Sequence, residues 1–197
     1  MGAFFQSLGK TIAAGVVVLI VLLLILAAAG GKVALGEHNW WLFAMRWLHI
    51  TAGVMWIGLL WYFNFVQMPS MPKIPDEQKP AIGKVIAPEA LFWFRWAAMA
   101  TIILGLLLAL MNGYLGDALM LKKPFTSIGI GAWLGTIMWA NVWFVIWPNQ
   151  KKALGIVTVD DASKAKAGSL AMMASRTNLI LSLPMLYCMI MGAHRPM

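Results

Sequence analysis

The chain of 197 residues contains three histidines, His38, His49 and His194. His49 lies inside an apolar stretch at residues 46–58, where an imidazole is costly unless it has a partner, so it suggests a functional role. Histidines carried by separate helices are common axial ligands of a haem iron. The chemistry that these residues suggest is therefore haem ligation.

Several residues would share one helical face with His49, because residues three and four positions apart are neighbours on a helix. Gly53 would let a flat macrocycle approach the backbone, and Arg46 could pair with a haem propionate. A simpler interpretation also fits: Gly53 allows close helix packing, Arg46 reaches the headgroups and His49 bonds to a neighbouring helix. The spacing leaves both interpretations open.

His194 comes at the end of the last apolar stretch, after Pro184. Paired with His49 it would form a bis-histidine site, which suits electron transfer because no coordination position remains for a substrate. His38 is a possible substitute ligand, although a loop histidine is more often simply solvated. The predicted haem contacts are His49, His194, Arg46, Gly53 and Trp56.

A second set of polar residues lies toward the opposite ends of the apolar stretches. Arg95 could extend to the membrane surface or stack on a tryptophan. Asn141 is expected to form a hydrogen bond between helices. Arg176 and Asn178 belong to the same set.

The acidic residues disfavour transport, because a proton pump or cation transporter ordinarily needs a carboxylate inside a span. All seven lie in loops or at the ends of apolar stretches: Glu37, Asp76, Glu77, Glu89, Asp117, Asp160 and Asp161. The sequence contains no glycine-rich phosphate loop, nucleophile elbow or zinc-type spacing. Its one cysteine, Cys188, permits neither an intrachain disulfide nor a CxxCH haem attachment.

Composition indicates an integral membrane protein, since 61% of the residues are hydrophobic and only 11% are charged, against about 25% charged in soluble domains. The net charge of +8 is carried by short loops, so it indicates orientation rather than nucleic-acid binding. A span needs about 20 apolar residues. We therefore predict an all-α bundle of five helices in a single domain, 1–197, with spans at about 11–30, 41–66, 91–112, 127–147 and 177–194.

The loop charges predict the orientation. Without Arg46 and Arg95, which lie at span ends, lysines and arginines number nine on the side of the N-terminus (Lys10, Lys73, Lys79, Lys84, Lys151, Lys152, Lys164, Lys166 and Arg176) and four on the other side (Lys32, Lys122, Lys123 and Arg195). The positive-inside rule then places the N-terminus in the cytoplasm and the C-terminus in the periplasm of a bacterial inner membrane. All three histidines would lie near the outer surface, His49 about 10 Å below it at 1.5 Å per residue.

Three further segments have predicted roles. The first span is expected to stay as an anchor, since its apolar core exceeds the roughly 7–15 residues of a signal peptide. The proline-rich loop at 67–90 is predicted to be extended. Asp160 and Asp161 are expected to cap a short surface helix at about 161–175.

Four stretches of the chain, within residues 40–195, carry a resemblance to a known family. They are Arg46–His49 with Trp56–Gly58, Trp93–Trp96, Met138–Trp143 with Ile146–Lys152, and Ser175–Asn178 through Pro184 to His194. Together they resemble the membrane domain of bacterial membrane-bound urate oxidases, the urate oxidase N-terminal family. The resemblance implies that His49 and His194 are functional positions, with supporting roles for Arg46, Arg95, Asn141, Arg176 and Asn178. Known members attach a cytochrome c domain, which is not expected here because CxxCH is missing, so the resemblance implies that any electron acceptor is a separate protein.

Three functions remain open at this point. The leading one is a haem b redox subunit that exchanges electrons with a c-type cytochrome or a larger respiratory complex. The second is an oxidoreductase acting on urate or a similar small aromatic, with an open coordination site. The third is a cofactor-free assembly subunit whose histidines are structural.

Overall fold

The computed structural model describes residues 2–31, 33 and 36–193. These residues form helices and no strand, which confirms the all-α fold class. The long helices are α1 (Leu8–Ala28), α2 (His38–Tyr62), α3 (Ala87–Met111), α4 (Thr126–Asn141) and α5 (Asp161–Ala193). Shorter helices are Gly2–Phe5, Leu115–Leu119 and Trp147–Ala153.

Four helical segments of the described chain are long and apolar enough to cross a membrane: Leu8–Ala28, His38–Lys73, Lys79–Met111 and Thr126–Ala153. They correspond to the first four predicted spans. The fifth, predicted at 177–194, falls within α5 up to Ala193 and is not among these four. The total of five spans and the orientation stay predictions.

The prediction of an extended loop at 67–90 is wrong. Helical structure continues to Lys73 and resumes at Lys79, so that only residues 74–78 separate the two segments. Pro69, Pro88 and Pro148 each follow a five-residue π-helical turn by two positions; these turns are Phe63–Gln67, Ile82–Ile86 and Val142–Ile146. A proline clashes with the carbonyl four residues earlier. The wider π turn moves that carbonyl aside, which lets the helix continue through the proline.

The predicted surface helix at 161–175 is also not a separate element. Asp160 caps the helix as expected, because its carboxylate accepts hydrogen bonds from the backbone N–H and the hydroxyl of Ser163, at 2.9 and 2.6 Å. The helix then runs without a break through Pro184 to Ala193. Residues 162–183 contain no proline and only one glycine, Gly168, so nothing in them ends it.

The chain forms two compact units, residues 1–44 and residues 45–197. The core of the second unit is built from α2, α3, α4 and α5, with Trp56, Phe94 and Met138 among its fully buried side chains. Helices α4 and α5 are antiparallel. Their close approach is seen at Gly131, where an added Cβ would lie only 3.2 Å from the backbone nitrogen of Met189.

Candidate functional site around His49

His49 is half-buried and is bonded to the neighbouring helix. Its Nδ1 atom lies 2.9 Å from the carbonyl oxygen of Thr101 in α3. A carbonyl can only accept a hydrogen bond, so Nδ1 carries the proton and Nε2 of the neutral ring keeps its lone pair. Metal-ligating histidines ordinarily have this arrangement, in which the second ring nitrogen donates to a carbonyl or carboxylate.

A glycine makes room for the imidazole. An added Cβ on Gly105 would lie 2.8 Å from Cε1 and 3.1 Å from Nδ1 of His49, so the ring rests directly on the backbone of α3. The Thr101 hydroxyl donates to the Ala97 carbonyl within its own helix at 2.7 Å, and only the Thr101 carbonyl faces the ring nitrogen.

Gly53 and Trp56 lie on the same side of α2 as His49, and this side packs against protein. An added Cβ on Gly53 would be 3.8 Å from the methyl carbon of Thr101. Trp56 is 1% exposed and belongs to the core, and its Nε1 atom has no hydrogen-bond partner among the described residues. A flat ring could contact Gly53 only if α2 and α3 separated at this level.

Arg46 is exposed near the start of the second unit, where its charge acts on Tyr114. Burial raises the pKa of the Tyr114 hydroxyl, and the positive charge of Arg46 offsets part of that rise. His38 is the first residue of α2 and belongs to the other unit.

His194 lies outside the described residues, so its pairing with His49 stays a prediction. The last described turn of α5 packs on α4: an added Cβ on Gly192 would lie 2.8 Å from the Cβ atom of Ile128.

Arg95 is stacked on Trp147, which lies in a later segment than the tryptophans of its own run at residues 91–96. Its Cζ atom lies 3.3 Å from the ring centroid of Trp147, and the residue is only 8% exposed. Its Nη1 atom has no hydrogen-bond partner in the described part of the chain.

Asn141 and Asn178 join α4 to α5, which confirms the expected interhelical hydrogen bond. The Asn141 amide donates to the side-chain oxygen of Asn178 at 2.8 Å and to the Ala174 carbonyl at 2.9 Å. The Asn178 amide donates to the Met138 carbonyl at 3.0 Å, and Asn178 is fully buried. Arg176 is exposed and lies outside this network.

Sequence reasoning missed two serines of α5 that accept hydrogen bonds from the helical segment His38–Lys73. Ser175 accepts a hydrogen bond from the Asn64 amide at 2.9 Å, and Ser182 accepts one from the Trp61 indole at 3.3 Å. Ser175, Asn178 and Ser182 have the i, i+3, i+7 spacing of one helical face, and this spacing was the available signal. Thr101 gave none, because its backbone carbonyl is the group that contacts His49.

The described residues contain no group of three or more His, Cys, Asp or Glu side chains that could hold a metal ion. The structure is that of an all-α chain compatible with a multi-pass membrane protein.

Residues 122–197 match the model of the family described as Urate oxidase N-terminal. The match includes Asn141, Arg176, Asn178 and His194 but not His49. No curated protein and no solved structure matches the chain.

Proposed function

We propose that this protein is a haem b-binding electron-transfer subunit of a larger membrane redox complex. His49, through Nε2, and His194 would hold the haem iron. The observation that carries the proposal is the hydrogen bond from His49 Nδ1 to the Thr101 carbonyl, because it fixes the ring and leaves Nε2 as the nitrogen able to bind iron.

The surrounding residues have defined roles in this proposal. Arg46 is the partner of a propionate, while Gly53 and Trp56 would contact the ring only if α2 and α3 separated at this level. When bound, the haem supplies one-electron transfer. The protein holds His49 in one tautomer and one orientation through Thr101 and Gly105.

The partners and the membrane belong to the same proposal. The chain spans a bacterial inner membrane among lipids, with the His49 side toward the periplasm, and exchanges electrons with a c-type cytochrome or a respiratory complex. The loop charges support this orientation.

Two other functions each have one observation in their favour. The Urate oxidase N-terminal match over residues 122–197 favours an oxidoreductase that acts on urate or a similar small aromatic. The packing of Gly53 against Thr101 favours a cofactor-free assembly subunit, in which the His49 hydrogen bond only joins two helices.

Absorption spectroscopy on the full chain, purified in detergent from cells supplied with haem precursor, tests the proposal. We expect a Soret band that shifts on reduction with dithionite. His49→Ala and His194→Ala should each lose it, while His38→Ala, the matched control, should keep it. Circular dichroism checks that each variant is folded. A folded, colourless wild-type protein would refute haem binding and leave the assembly role.

Carbon monoxide separates the two redox functions. With both histidines on the iron, the reduced protein should not bind carbon monoxide, because no coordination position is open. Binding of carbon monoxide together with turnover of urate would instead assign the oxidoreductase.

A further inference from the structure

Two positively charged side chains converge on the indole ring of Trp147. The Cζ atom of Arg95 lies 3.3 Å from the ring centroid, and the Nζ atom of Lys151 lies 5.6 Å from the same centroid. The two charges are therefore no farther apart than the sum of these distances. Like charges at such a separation repel each other, so an anion placed between them would be stabilised.

The described residues supply no such anion. Their ion pairs are Lys79 with Asp76 and Lys122 with Asp117, so neither Arg95 nor Lys151 has a carboxylate partner among them. Arg95 is only 8% exposed, and its guanidinium donates no hydrogen bond to a described residue. A buried charge without a partner is costly, which favours an anionic ligand here.

The two cations can be reached from outside the core. Of the Arg95 nitrogens only Nη1 is fully enclosed, so the positive charge is not sealed inside the protein. Trp147 and Lys151 are half-buried. The site therefore lies at the border of the core, and the Lys151 side chain can turn its ammonium group toward a ligand.

The depth of the site matches the level of lipid phosphates. The helical segment Thr126–Ala153 contains 28 residues, which is about 42 Å of helix against a hydrocarbon layer of about 30 Å. Trp147 lies about 9 Å from the end of this segment at 1.5 Å per residue. In a membrane the cations would thus lie close to the boundary between headgroups and hydrocarbon, where basic pockets between helices bind anionic lipids.

The surface beside the cations is apolar, which favours a ligand that carries a hydrocarbon chain. Trp96, the neighbour of Arg95 in α3, is 49% exposed and contacts Trp143 with ring centroids 5.5 Å apart. Phe144 is 70% exposed on the same segment as Trp147. A small inorganic anion would gain nothing from these rings, whereas a lipid chain would pack on them.

We propose that Arg95, Lys151 and Trp147 form a binding site for the phosphate group of an anionic phospholipid. The guanidinium and the ammonium bind the phosphate oxygens, and the acyl chains lie along Trp96 and Trp143. The site does not depend on haem binding, because none of these residues belongs to the proposed haem site.

Native mass spectrometry of the full chain, released from detergent at fixed ionic strength, tests the proposal with phosphatidylglycerol and phosphatidylcholine of identical acyl chains. We expect phosphatidylglycerol to bind about tenfold more tightly. Lys151→Gln should weaken its binding about fivefold, the effect of one cation at a membrane surface. Lys152→Gln removes the same charge from the exposed neighbouring residue and should bind like the wild type.

Variants of Arg95 test the buried cation. Arg95→Gln should weaken the binding of phosphatidylglycerol about tenfold, because a hydrogen bond to a charged group is lost. Arg95→Lys keeps the charge without the planar fork and should retain part of the affinity. Circular dichroism checks folding, and Lys151→Gln still decides the outcome where an Arg95 variant does not fold. Equal binding of the two lipids, or equal effects of Lys151→Gln and Lys152→Gln, would overturn the proposal.

Inorganic phosphate distinguishes a lipid from a free anion. Sodium phosphate should displace bound phosphatidylglycerol no more than sodium chloride of the same ionic strength does, because phosphate cannot use the apolar surface. Specific displacement by phosphate that disappears in Lys151→Gln would refute the lipid assignment and indicate a site for a free oxyanion. These measurements do not involve haem, so their failure would leave the proposed electron-transfer function untouched.

Discussion

Gly105 of α3 has no room for a side chain, because an added Cβ would lie 2.8 Å from the Cε1 atom of His49. This contact and the Thr101 hydrogen bond together hold the imidazole on the backbone of α3. The geometry of His49 therefore depends on a residue that carries no functional group.

Gly105→Ala should displace the His49 ring and break its hydrogen bond to Thr101. We expect the free energy of unfolding to fall by about 1–3 kcal/mol, as for other insertions into packed sites. Unfolding in mixed micelles measures the change, and imidazole ¹⁵N chemical shifts report the loss of the hydrogen bond. Gly58→Ala is the control, because a Cβ there meets nothing within 4 Å. Equal losses in both variants would show that the contact with His49 is not the cause.

The sequence predicted the long apolar helices well, because hydropathy depends on composition over about 20 residues. Four segments of the structure agree with the first four predicted spans. The loop at 67–90 was predicted wrongly because proline was taken as a helix breaker. Pro69 and Pro88 instead follow π turns that accommodate them, a combination that the propensity of a single residue does not describe.

The candidate site was predictable only where side chains meet side chains. The Asn141 hydrogen bond follows from the cost of an unpaired amide in a membrane, and the structure shows it. The contacts of His49 are with a backbone carbonyl and a glycine, which residue types do not reveal.

Asn141 and Asn178 should be energetically coupled. A double-mutant cycle with Asn141→Ala and Asn178→Ala is expected to give a coupling free energy of about 0.5–1.5 kcal/mol, in the range found between membrane helices. Unfolding in mixed micelles provides the four free energies. Asn149→Ala is the control partner, because the Asn149 amide donates to Val145 within its own helical segment. Additive effects of Asn141→Ala and Asn178→Ala would contradict the coupling.

The effect of the Arg46 charge should be measurable as a change in the pKa of Tyr114. Burial raises the pKa of Tyr114 and Arg46 partly offsets this, so Arg46→Gln should raise that pKa further. The phenolate absorbance of each protein, minus that of its Tyr114→Phe counterpart, gives the titration of this residue. Arg176→Gln removes an exposed charge elsewhere and should leave the curve unchanged. An unchanged or lower pKa in Arg46→Gln would mean that the charge of Arg46 does not stabilise the Tyr114 phenolate.

Asp160 should make the start of α5 sensitive to acid. Hydrogen bonds from the side chain and backbone of Ser163 lower the pKa of the Asp160 carboxyl below its ordinary value. A carboxyl with a lowered pKa in the folded state contributes stability above its unfolded pKa of about 3.9, and this contribution is lost as the pH falls through the folded pKa. Asp160→Asn keeps an acceptor but cannot titrate. The difference in free energy of unfolding between wild type and Asp160→Asn should therefore be constant above about pH 5 and shrink in more acidic solution.

Ser163→Ala removes the hydroxyl that donates to Asp160 at 2.6 Å but keeps the backbone N–H. In that background the pKa of Asp160 should be closer to its ordinary value, so the stability difference should be smaller and should disappear at a higher pH. Unfolding measured from about pH 2 to pH 6 in all four combinations of the two substitutions separates this cap from other carboxyls. A pH dependence that is the same with and without the Ser163 hydroxyl would assign the acid sensitivity to a different residue.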